Sequence, residues 1–321
     1  VVYNKLGAGP CQNKFKKISE YFMTTIDNNL KLLSAGEQTR LSWTKAIRNY
    51  DQIPSAYQAA FNGHFKSTDD FPYTLLAPFN GSFLKPTYEK LVSCTQDSLT
   101  IFERYPERIN VTAYKLDAIT YIETGSVLLY SWLTINGIDQ DGRSSATTIK
   151  FNTVGDGLFL PILARIRGQA DYSSENQLAA EQAKFDYLSV LNYKFMNYGR
   201  RSLLPGDRVQ RIVLQPELRK EFLRLFGKSV WQLIFPAHIL ILTNHEVISI
   251  RDASKTASYG GIWNYVPLEK ISSVKLSEEG NGKLKLCLEL PGQNGVELSF
   301  EASRKAEVET LQVEIQKLIS K

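Results

Sequence analysis

Between Lys283 and Leu290 the chain alternates without a break: Leu284, Leu286, Leu288 and Leu290 on one parity, Lys283, Lys285, Cys287 and Glu289 on the other. A period of two buries one face and wets the other, so this stretch must be a half-buried strand. Val296, Leu298 and Phe300 against Glu297, Ser299 and Glu301 repeat the pattern. From Ser303 the period lengthens, and Val308, Leu311, Ile315 and Leu318 fall on one helical stripe. The segment Trp231–Lys321 therefore reads as strands closed by an amphipathic helix.

The same order is expected earlier. Strands are predicted near 208–215, 232–243, 247–252, 262–268 and 271–278 in the second half, and near 88–95, 99–103, 111–116, 119–123, 127–136 and 147–152 in the first. Asp156 can cap a helix that closes the first set, with Leu158, Phe159, Ile162, Leu163 and Ile166 inward. Helices are also predicted at Lys14–Leu33 and from Ser174 to Tyr198, with Gly199 as the stop of the latter. Pro216 and Gly227 bracket one more. The stretch from His64 to Thr87 reads as an irregular loop.

A hydrophobic fraction of 43% with 22% charged residues is the balance of a chain that packs a core, and 321 residues suffice for two domains. The net charge of +5 is too small for a dedicated nucleic-acid binder. Cys11, Cys94 and Cys287 are too few for a disulfide framework, which suits a reducing compartment and a cytoplasmic location.

Two motifs carry a family resemblance. A turn at Leu242-Thr243-Asn244 leads into a strand through Ile250, and Pro267-Leu268-Glu269-Lys270-Ile271-Ser272-Ser273-Val274 follows. The first half offers Thr95-Gln96-Asp97 through Phe102, then Lys115-Leu116-Asp117-Ala118-Ile119-Thr120-Tyr121-Ile122. The order resembles the pleckstrin-homology superfold, in particular the bacterial PH-like and GRAM-like domains. That resemblance implies an α+β chain of two tandem PH-like, seven-stranded antiparallel barrels, each with a helical lead-in and a C-terminal capping helix. The domains would be 1–169 and 170–321. It further implies a non-enzymatic binding or scaffolding protein without a cofactor. Its partner would be a protein or peptide, or an anionic membrane at whose inner face it sits peripherally.

Site chemistry is sparse at this level. His64, His238 and His245 stand at no metal-ligand spacing from one another or from a cysteine pair, so no metal ligand and no catalytic residue is expected. From Lys184 to Lys228, ten basic residues face four acidic ones. Arg219, Lys220, Arg224 and Lys228, with Arg251 and Lys255, are the expected anion contacts. Leu128, Tyr130 and Trp132 would form an apolar row and hence an interface. The competing expectation is an enzyme with its site between the two modules.

Overall fold

The computed structural model describes residues 42–66, 70–78, 88–168, 175–225, 228–252, 260–280, 282–292 and 295–320. The predicted helix at Lys14–Leu33, residue Lys255 and parts of the predicted loop lie outside them. Five strands, β1 (Lys45–Ile47), β2 (Tyr73–Ala77), β3 (Lys90–Cys94), β4 (Ser98–Arg104) and β5 (Ile109–Lys115), form an antiparallel meander. The second of these falls inside the stretch expected to be irregular, and buries Thr74, Leu75 and Ala77.

Strand β3 is buried at every position because it is covered on both faces. Leu91 and its cross-strand partner Phe102 point to helix α1 (Ser55–His64), where they meet Tyr57 and Phe61. Their neighbours Val92 and Ile101 point the other way, into the main core.

The second sheet decides the architecture. Strands β6 (Ile119–Val127), β7 (Tyr130–Ile138) and β8 (Ser144–Asn152) follow, then helices α2 (Asp156–Ile166), α3 (Glu175–Ala183) and α4 (Tyr193–Ser202). Next come β9 (Arg211–Gln215), β10 (Leu218–Leu225), β11 (Lys228–Phe235), β12 (His238–Leu242), β13 (Glu246–Asp252) and β14 (Gly261–Pro267). The last elements are β15 (Ser273–Glu279), β16 (Lys283–Glu289), β17 (Val296–Glu301) and α5 (Lys305–Ile319). Strand β6 pairs with β14, Ile122 opposite Tyr265 and Ser126 opposite Gly261. The result is one seven-stranded antiparallel sheet in the order β8-β7-β6-β14-β13-β12-β9.

This corrects the expected barrels. Among the described residues there are four separate antiparallel sheets, of five, seven, two and three strands, and none closes on itself. Nor does the chain divide into two seven-stranded repeats, because β6 takes its second neighbour from the other half of the sequence. The class remains α+β, while the PH-like or GRAM-like barrel and the tandem repeat do not stand. Sheets here meet face to face across apolar cores instead of through ring-closing hydrogen bonds. The main core gathers Leu75, Ile101, Ile135 and Phe159 with Ile239, Ile241, Ile248 and Ile250. On the opposite face of β12 and β13, Leu240, Leu242 and Val247 pack with Leu284, Leu286, Phe300, Leu311 and Ile315.

Local periodicity succeeds where the element is local. Helix α2 begins at Asp156 and buries Phe159, Ile162 and Ile166, and α5 buries Val308, Leu311 and Ile315. Strand β16 alternates as expected, with Leu284, Leu286 and Leu288 buried. Three expectations fail. The single helix expected from Ser174 to Tyr198 is broken, with α3 ending at Ala183, a 3-10 turn at Asp186–Ser189 and α4 restarting behind its N-cap Asn192. The stretch after Pro216 is a strand paired with β11 instead of a helix, since Val230, Trp231 and Ile234 supply a β-prone partner that overrides the helix propensity of Leu218–Leu225. Gly199 lies inside α4 and not at a helix stop; a Cβ there would sit 2.3 Å from the Phe185 ring, so the absent side chain lets that ring pack against the helix.

His238 opens β12, is 4% exposed, and lies edge-on to Phe300 with ring centroids 4.8 Å apart. Burial pushes its pKa down to about 4. The neutral ring is thus the native form, and stability present above an unfolded pKa of about 6.5 is lost as pH falls toward 4, by roughly 3 kcal/mol. Urea unfolding of wild type and His238→Leu at pH values across that window should show the wild-type curve falling further on the acid side. Parallel curves would mean the ring is solvated.

Candidate metal centre

The β9–β12 pairing places Arg211 opposite Leu242. Ahead of β9 the Arg208 N–H donates to Asn244 Oδ1 at 2.8 Å, which ties the segment carrying Asp207 to the β12–β13 turn and brings Asp207 to His245 and Glu246. Local bonds hold each group in place. The Leu204 N–H donates to Asp207 Oδ2 at 2.7 Å, and the Glu246 N–H donates to Thr243 Oγ1 at 3.1 Å across the β12–β13 turn. The Leu268 N–H donates to the His245 carbonyl at 2.8 Å.

One carboxylate oxygen from Asp207, one from Glu246 and an imidazole nitrogen of His245 lie within 4.8 Å of one another. The Asp207 and Glu246 side chains are 0% and 1% exposed, and that of His245 is 26% exposed. Approach from solvent is therefore past the imidazole. His245 Nε2 lies 3.2 Å from Asp207 Oδ1, yet neither atom makes a hydrogen bond within the protein. The two atoms are within ion-pair distance of each other and carry no other hydrogen bond in the protein.

Arg167 caps the C-terminus of α2 and closes the other side of the cluster. Its Nε lies 3.1 and 3.2 Å from the two Glu246 oxygens, and its Nη2 also donates to Glu246 and, at 2.9 Å, to the Ser202 carbonyl. The guanidinium sits 4.1 Å from the Tyr265 ring centroid and 3.6 Å from Asp207 Oδ2. Burial by itself would lower its pKa, but Glu246, Tyr265 and Asp207 hold it above the ordinary value. Burial pushes the Tyr265 phenol up to about 12. It also raises the Asp207 carboxyl, against the Leu204 N–H and Arg167.

Burial favours the neutral Asp207 carboxyl; with both carboxylates ionised and the imidazole neutral, one guanidinium would leave an uncompensated negative charge in a site sealed from water on the carboxylate side. A cation at the His245–Asp207 gap would neutralise it and satisfy both orphan atoms. Imidazole nitrogen with two carboxylate oxygens suits Zn²⁺ and other first-row divalent ions. The expectation of a purely non-enzymatic chain is corrected by this convergence of three ligand-type side chains, which the spacing test keeps apart. Sequence spacing missed the group because Asp207 is remote along the chain from the adjacent His245-Glu246 pair and meets it only in the fold. The available signal was His245-Glu246 directly after a predicted strand, with Gly206-Asp207 directly before another.

No family model and no curated protein matches the chain.

The expected anion contacts are dispersed. Arg219, Lys220 and Arg224 are exposed on β10, with Arg219 paired to Glu217, and Lys228 opens β11. Arg219 and Lys220 share a cleft with Gln232, Ile234 and Ser303. Arg251 lies at the end of β13, 3.4 Å from Glu123 of β6. Of the expected apolar row, Leu128 sits at the β6–β7 turn, 72% exposed and with φ 55°. Tyr130 and Trp132 are half-buried against each other. The Trp132 ring covers Gly125, where a Cβ would sit 2.0 Å from it, and its Nε1 donates to Glu123 at 3.0 Å. Among the described residues no helix is long and apolar enough to cross a membrane.

Proposed function

We propose that the chain is a metal-dependent enzyme whose centre is Asp207, His245 and Glu246. The observation that carries this reading is the pair of unsatisfied buried atoms, Asp207 Oδ1 and His245 Nε2, inside a three-residue ligand set. Three protein ligands leave a coordination position for water, as in catalytic zinc sites, whereas structural sites use four. A water held there would be acidified and directed at a substrate bond, so the reaction class is metal-assisted hydrolysis. The partly exposed face of His245 is the side from which substrate would come. Arg167 in this reading positions Glu246 and leaves the substrate side free.

Elemental analysis of the purified full chain after exhaustive dialysis tests the centre. One equivalent of a first-row divalent ion is expected. A chain that stays metal-free after growth and refolding in zinc- or manganese-supplemented medium would end the proposal. The hydrolytic half is tested on ester and phosphoester panels, with and without chelator.

A further inference from the structure

The β10–β11 hairpin forms a sheet of its own: among the described residues its two strands pair only with each other. Its base, through the buried Phe235 and a cleft shared with Glu301, Ala302 and Ser303, meets the body of the fold, while the side chains beyond are left to solvent. Leu218, Phe222, Leu223, Val230, Trp231 and Ile234 on it are all exposed, Phe222 at 70% and Trp231 at 56%. A register shift between Glu221 and Leu223 takes Phe222 out of the ladder. These apolar side chains lie on both faces of the ribbon, Trp231 opposite Glu221 and Val230 opposite Leu223, so a partner that covers them must take up the hairpin from both sides, as an interface into which it inserts would.

Charge identifies what the surface contacts. From Glu217 to Phe235 four basic residues stand against two acidic ones, and Arg219 is already paired to Glu217. No carboxylate among the described residues pairs with Lys220 or Arg224. A second copy would set these cations against their like, which disfavours self-association. Nucleic acid would satisfy the cations but leave six large apolar groups in water. An anionic bilayer satisfies both, taking Trp and Phe at the headgroup boundary and Lys and Arg at the phosphates.

We propose that β10–β11 is a membrane-docking hairpin that seats Phe222 and Trp231 in the interface of an anionic lipid surface, with Lys220 and Arg224 on its headgroups. The proposal is independent of the metal centre.

Flotation of the full chain with phosphatidylcholine vesicles, with and without phosphatidylserine and over a salt series, tests it. Binding is expected only with phosphatidylserine and should fall as salt rises. Lys220→Ala with Arg224→Ala should weaken it about 30-fold at low salt, near fivefold per cation. Phe222→Ser with Trp231→Ser should weaken it by about tenfold or more. Since all four side chains are exposed, thermal unfolding of both double variants should match wild type and so exclude misfolding. Lipid-induced blue-shifted tryptophan emission should vanish in Trp231→Phe. Absence of flotation at low salt, or flotation indifferent to both double variants, overturns the proposal. So does lipid-free self-association abolished by Phe222→Ser with Trp231→Ser, which would assign the surface to a second copy.

Discussion

Replacing Arg167 by alanine is expected to destabilise the protein by about 3–5 kcal/mol, the loss that follows when one member of a buried ion pair is deleted. The mechanism is the stranding of charge. Glu246 would lose both its bonded guanidinium nitrogens, and Asp207 its nearest cation, while both carboxylates remain out of water. The Ser202 carbonyl and the Tyr265 ring would lose their contacts as well. Arg167→Lys should recover only part, because an ammonium cannot reproduce the two-nitrogen fork on Glu246. Chemical denaturation reads the effect directly. A loss under about 1 kcal/mol, the size of a surface pair, would show that water reaches the cluster in solution.

Asp207→Asn should abolish stoichiometric metal and, with it, stabilisation by added ion. For wild type, free ion at a hundred times its dissociation constant should add about 2.7 kcal/mol. For the variant the shift should be absent. The Asp207 ionisation gives this effect a pH signature. Its folded pKa is raised, so the native state favours the neutral carboxyl; that contribution is full below the unfolded pKa and is lost as pH rises through the folded one. Metal-free wild type should thus lose stability across that rise, and bound cation should offset the loss. Thermal shifts measured with and without ion on both sides of the transition check it. Equal metal response in wild type and Asp207→Asn would remove Asp207 from the centre.

What could be read beforehand followed the range of the interaction. The alternation of Leu284 to Leu290 and the stripe of α5 are written in consecutive residues, and their boundaries emerge within a residue or two. The hairpin strand β10 was hidden because Leu, Arg, Lys and Glu favour helix intrinsically, and only its pairing with β11 overrules them. Sheet order was hidden more deeply. Nothing near Ile122 announces that its neighbour is Tyr265, and without that pairing the strands sort naturally into two closed units. The cluster shares this character. Asp207, His245 and Glu246 are ordinary turn residues until β9 and β12 align, and Arg167 reads only as the end of a helix.

The β6–β14 pairing also dictates a timetable. On the ribosome, residues up to Asn152 can fold their hairpins as soon as they emerge, but β6 keeps a bare edge until Gly261–Pro267 has been made. Such an edge is an invitation to intermolecular pairing. The nascent chain is therefore most vulnerable while the residues between Asn152 and Pro267 are being made, and mutations that delay β14 should lower soluble yield far more than they lower the stability of the finished protein.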